Sequence, residues 1–152
     1  MDDRIVITGM GAVSPIGLSA AESWNSAVHG VSGVGPITLF DASAFLVHIA
    51  CEVKGFQPER YLSPKDVRRR DRYELLAAVA AQEAMAQSGL EITDAHASRI
   101  GVLIASAFGG LTSLQDAIIG VHEEGPRRVS PFTIPMLMTN GASAMLAIDY
   151  GI

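Results

Sequence analysis

The chain has 152 residues, of which 49% are apolar and 18% charged, with 11 basic residues against 16 acidic ones for a net charge of -5. This balance excludes a disordered chain, gives no support to nucleic-acid binding, and leaves much apolar surface in need of a covering partner. No apolar run approaches the ~18 residues of a membrane span, the acidic start carries no leader pattern, and a single cysteine, Cys51, excludes an internal disulfide framework and fits the cytoplasm.

The length fits one ordinary domain, predicted to form a single unit. Arg4 to Thr8 is a β-branched run that predicts a first strand, feeding the glycine-rich loop Gly9-Met-Gly-Ala-Val-Ser-Pro-Ile-Gly17. A helix follows, with Ser19 and Glu22 at capping-box spacing, Trp24 and Val28 on one face, and Gly30 placed to stop it. Phe45 to Val53 predicts an extended excursion or edge strand around Cys51. Ser63 and Pro64 open a short helix, and a basic run, Lys65, Arg68, Arg69, Arg70 and Arg72, succeeds it. From Asp71 to Ser88 the alanine-rich composition predicts a long, closely packed helix that ends at Gly89.

Ile100 to Ala105 is short, β-branched at alternate positions and apolar throughout, as expected of a central parallel strand covered on both faces. It empties into Ser106, Ala107, Phe108, Gly109 and Gly110, so one large ring stands on a loop whose backbone can be approached closely. In open α/β sheets, ligands sit off the carboxyl ends of such strands. Thr112 to His122 predicts a helix, and Pro135 to Tyr150, with small residues at Gly141 to Ala144, predicts a helix buried on nearly all sides.

Thr8-Gly9-x-Gly11 invites a dinucleotide-binding reading, and hence a nicotinamide oxidoreductase. No third glycine completes the fingerprint, Pro15 interrupts the helix start, and no acidic residue closes a second strand, so structural glycines are the better reading. Cys51 lies near His48 but on an extended apolar segment, which predicts a buried structural thiol rather than a nucleophile. The four histidines are scattered without metal spacing. The basic run reads either as a solvated helix face or as a docking face for an acidic partner, and composition leaves both open.

Taken together, the stretch Arg4 to Gly17, Trp24, Phe40-Asp41, Asp71-Arg72-Tyr73, Arg99-Ile-Gly101 through Gly109-Gly110, and Gly125-Pro-Arg-Arg-Val-Ser-Pro-Phe132 resemble the N-terminal portion of an elongating β-ketoacyl-acyl-carrier-protein synthase. The resemblance runs the whole chain. It implies an α/β, thiolase-like fold of αβαβα layers, of which residues 1–152 are an incomplete N-terminal half. It also implies decarboxylative Claisen condensation with malonyl-carrier protein, a cytoplasmic homodimer, and no cofactor, metal, nucleic acid or membrane. The family's nucleophilic cysteine follows the tyrosine-glycine that matches Tyr150-Gly151, and Cys51 does not match it, so no catalytic residue is expected among these positions.

By the same resemblance, Phe108 gates the end of the acyl pocket, and Thr133 and Ile134 belong to the stretch that reaches toward a partner's pocket. Lys65, Arg68 and Arg69 match basic positions that receive the acyl carrier protein. Arg70 and Gly141 each stand where the family has methionine, and Tyr73 where it has phenylalanine. A second reading within the same architecture is a non-catalytic chain-length-determining partner, which implies a ketosynthase heterodimer.

Overall fold

Several helix starts and stops fall where local chemistry predicts them in the computed structural model, which describes residues 4–152. Helix α1 (Ala20–Val28) opens on Ser19, whose hydroxyl accepts the Glu22 N–H at 3.1 Å, while the Glu22 carboxylate accepts the Leu18 N–H at 2.8 Å. It stops before Gly30, held at φ +66°. Helix α2 (Pro64–Val67) starts on Ser63, which accepts the Asp66 N–H. Helix α3 (Arg72–Ser88) stops before Gly89, and helix α4 (Leu111–Glu124) before Gly125, both glycines having positive φ. The acidic start Asp2-Asp3 lies outside the described residues.

The chain divides into two compact units. One runs to Gln57 and takes in Ala80–Ser88; the other comprises Pro58–Val79 and residues 89–152. Helix α3 thus gives its first half, through Val79, to the second unit and the rest to the first.

In the first unit the glycine-rich loop lies on the latter half of α3. A Cβ on Gly9 would stand 2.1 Å from the Ala84 carbonyl oxygen, and one on Gly11 would stand 1.9 Å from that of Ala80, so only glycine admits this approach. A two-residue antiparallel ladder joins β1 (Gly35–Pro36) to β2 (Ile49–Ala50). That pair is what forms of the excursion predicted for Phe45 to Val53. Cys51, just beyond β2, is exposed, which corrects the expected buried thiol.

In the second unit, Leu75, Ala78 and Val79 of α3 and Ala142 and Leu146 of helix α6 (Gly141–Tyr150) are the buried apolar residues. Helix α5 (Thr133–Leu137) precedes α6, separated by an extended Met138 and a turn, so the helix predicted from Pro135 to Tyr150 is broken in two. Nor is α6 buried on nearly all sides, since Ile148 is exposed.

Neither predicted strand, Arg4 to Thr8 or Ile100 to Ala105, enters a ladder among the described residues. A strand is completed by a neighbour's backbone, and at Ile104 a side chain supplies that instead: the Ser143 hydroxyl accepts the Ile104 N–H at 3.0 Å and donates to its carbonyl at 3.2 Å. Burial nevertheless alternates residue by residue along 100–106, the period of an extended chain. Ile5, Leu46 and Leu103 are essentially fully exposed, as the apolar excess predicts. Among the described residues no helix is long and apolar enough to cross a membrane.

Candidate functional site

In the glycine-rich loop, alternate backbone donors are met by side chains of α3. The Met10 N–H donates to the Gln87 amide oxygen at 2.5 Å, and those of Ala12 and Ala20 donate to the Glu83 carboxylate at 3.0 Å. A carboxylate of α3 thus occupies the place a phosphate would need, which gives the structural reading of these glycines its physical reason. Beside the loop, α1 and Cys51 line an apolar groove of about 950 Å³ that includes Met10, Ile16 and Trp24. Among the described residues that line the groove there is no cationic side chain beside Cys51.

The second unit gathers the polar groups. Asp71, just before α3, is buried, and its Oδ2 accepts from both the backbone N–H (3.0 Å) and the hydroxyl (2.6 Å) of Ser113 in the first turn of α4. Glycine backbone makes that junction close: a Cβ on Gly109 would meet the Leu137 carbonyl at 2.2 Å, and one on Gly110 would meet that of Met136 at 2.0 Å. The loop bearing Phe108 is therefore pressed on the C-terminal end of α5. Phe108 itself points outward and is 76% exposed.

At the other end of α5, Thr133 is half-buried and lines a cleft of about 210 Å³ with Ser113, Asp116, Arg128, Ser130 and Met136. Ile134 is exposed. Phe108 thus sits on the loop at the C-terminal end of α5, and Thr133 and Ile134 form its first turn. The basic run separates into three environments. Lys65 and Arg68, on α2 and its C-terminal cap, are exposed. Arg69 is half-buried, with its guanidinium 4.4 Å from the ring centroid of Phe132, the residue that caps α5. Arg70 is buried, its Nη2 donating to Asp149 at 2.6 Å while Nε and Nη1 have no hydrogen-bond partner among the described residues.

Sequence reasoning missed the group that follows Arg70. Glu74 is 2% exposed, its Oε2 accepting the Asp71 N–H at 2.9 Å. The Tyr73 hydroxyl donates to the Met138 carbonyl and stands 3.4 Å from Glu74 Oε1. Burial, reinforced by the Asp71 charge, pushes the Glu74 carboxyl up to about 7. Burial and then the Glu74 charge raise Tyr73 as well. Gly141 makes room for both, since a Cβ there would lie 2.2 Å from Glu74 Oε1 and 2.6 Å from the Tyr73 oxygen. A signal existed: positions 71, 74, 75, 78 and 79 follow helical spacing, so two acids sit on the buried stripe.

Residues 2–152 match the family described as Beta-ketoacyl synthase, N-terminal domain. A 3-oxoacyl-[acyl-carrier-protein] synthase 2 of Staphylococcus aureus (strain N315) is 45% identical over 148 residues, 97% of this chain and 36% of the relative. The chain therefore spans about a third of the length of the curated relatives it matches. Among solved structures, the ishigamide ketosynthase/chain length factor is 26% identical with a TM-score of 0.78, over 95% of this chain and 36% of that one. A type II PKS acyl-carrier protein in complex with its ketosynthase bound to the hexaketide gives 20% identity and a TM-score of 0.77, over 96% and 38%. These likenesses establish the expected fold, a partial thiolase-like α/β arrangement.

Proposed function

Because this chain belongs to the β-ketoacyl synthase family through its N-terminal domain, we propose that residues 1–152 are the N-terminal part of one such domain in a 3-oxoacyl-[acyl-carrier-protein] synthase. Such an acyltransferase elongates acyl chains by decarboxylative Claisen condensation in fatty-acid biosynthesis, as a cytoplasmic homodimer. The observation that carries this reading is the 45% identity sustained over 97% of the chain. The reaction needs a thiolate nucleophile and donors for the developing enolate. Exposed Cys51 is assigned no part in it; the residues of this chain bind and position. Phe108, Thr133 and Ile134 shape the acyl pocket from the two ends of α5. Lys65 and Arg68 present exposed positive charge to the acidic carrier protein, and Arg69 stands behind them on Phe132.

Charge reversal tests the docking face. In the full-length enzyme that carries this segment, Lys65→Glu with Arg68→Glu should weaken carrier-protein binding about tenfold, less so at high salt, and leave activity on a small thioester intact. Equal loss with both substrates, or unchanged binding at low salt, would return these residues to a solvated helix face. A chain-length-determining partner is the second reading, supported by the likeness to a ketosynthase/chain length factor. Intact-mass measurement of the full-length protein with an acyl thioester separates the two: a covalent acyl adduct marks the enzyme, and its absence marks the partner.

A further inference from the structure

A hydroxyl has one proton to donate, and Tyr73 has two candidates to receive it: the Met138 carbonyl, with which it makes a close contact, and Glu74 Oε1, at 3.4 Å. With that proton on Met138, the Tyr73 oxygen faces Glu74 with a lone pair. A carboxylate there would set lone pair against lone pair, whereas a carboxylic acid would donate its own O–H to the tyrosine oxygen. The Arg70 charge favours the carboxylate, but it is outweighed by burial, and its guanidinium is turned elsewhere. A buried carboxylate would be expected to draw the N–H groups of a nearby guanidinium, yet Arg70, four residues earlier, leaves Nε and Nη1 without partners among the described residues and gives Nη2 to Asp149.

We propose that Glu74 is a buried proton-binding site, occupied in the arrangement described, and that its occupancy decides whether the Tyr73 proton serves Met138 or Glu74 itself. When the acid ionises, Oε1 becomes a charged acceptor, and hydrogen bonds to charged acceptors are roughly twice as strong as those to neutral ones. The tyrosine proton turns to it. Met138, whose carbonyl also accepts the Gly141 N–H at 3.0 Å, loses its tie to α3, and the turn joining α5 to α6 loosens. The charged and titratable groups acting on Glu74 are Arg70, Asp71 and Tyr73 from its own segment; α6 presents Asp149 through its ion pair with Arg70, α4 presents Ser113 through Asp71, and α5 carries no titratable side chain. The upward shift of Glu74 to about 7 agrees with this geometry and puts the transition near neutral pH.

The test needs no variant to begin. In the chain labelled with carbon-13, the Glu74 carboxyl resonance should titrate near 7, and the Gly141 amide, corrected for its intrinsic rate, should exchange roughly tenfold or more faster at about pH 8.5 than at about pH 5.5. Glu74→Gln keeps an oxygen for the Asp71 N–H and an N–H₂ for the tyrosine oxygen, mimicking the protonated acid at every pH, so the pH dependence should vanish with protection kept. A Glu74 midpoint near the ordinary 4.5, or the same loss of protection in Glu74→Gln, would overturn the proposal.

Discussion

Two glutamates of α3 show how differently one helix can use the same side chain. Glu83, in the half that belongs to the first unit, meets two donors: the backbone N–H groups of Ala12 and Ala20 converge on its two oxygens. Glu74, in the second unit, meets one backbone N–H and a hydroxyl whose proton is engaged with Met138. The number of donors aimed at a carboxylate, as well as its depth, thus decides what an acid on this helix does. Glu83 pins a loop; Glu74 holds a proton.

The glycines that admit these contacts give the largest expected effects. Gly11→Ala drives a Cβ into the carbonyl of Ala80, fixed helix backbone, and should destabilise the chain by about 3 kcal/mol in denaturant unfolding. Gly141→Ala strikes the ends of Glu74 and Tyr73, which can turn aside, as well as the Pro135 carbonyl, so about 2 kcal/mol is expected. Equal losses would mean that the Glu74 pocket is as rigid as the loop on α3.

The two Glu→Gln variants sharpen the contrast through their signs. Glu83→Gln turns an N–H₂ toward donors and should lose about 1–2 kcal/mol. Glu74→Gln should gain stability at about pH 8 and change little at about pH 5. The pH window follows from linkage: the folded state raises the Glu74 carboxyl from 4.5 to about 7 and so binds the proton more tightly than the unfolded chain. Stability is full below 4.5, falls as pH rises through that interval, and is lowest above about 7. Pulse proteolysis across that range reads both variants. The smallest effect expected is Arg69→Ala, which removes one partly exposed cation–π contact and should cost about 0.5–1 kcal/mol, with Arg69→Lys recovering part of it.

Four helix ends were legible because their chemistry is local: Ser19, Ser63, Gly30 and Gly89 act on neighbours within a turn, whereas the break between α5 and α6 was not. Nor was pairing. Nothing within Ile100 to Ala105 says that the Ser143 hydroxyl will satisfy Ile104 from 39 residues away. The basic run shows a similar limit, since Lys65, Arg68, Arg69 and Arg70 are alike in composition and separate only when α3 turns Arg70 inward and Phe132 comes up under Arg69. At the glycine-rich loop the sequence predicts a tight structural turn, but the carboxylate that meets it, Glu83, could be named only from tertiary contact.

The bond from Asp71 to the first turn of α4 also bears on the order in which this chain folds. A helix usually finds its N-terminal cap one residue upstream, whereas α4 takes its cap from 42 residues away, across a loop that must close first. Its N-cap position, Gly110, offers no side chain to nucleate the first turn alone. Formation of α4 is thereby slaved to the arrival of the α3 segment, which raises the contact order of an otherwise helical unit and should place Ser113 among the late-forming positions in folding kinetics. During synthesis the Asp71 carboxylate emerges first, and the capping bond forms only when the first turn of α4 has reached that oxygen.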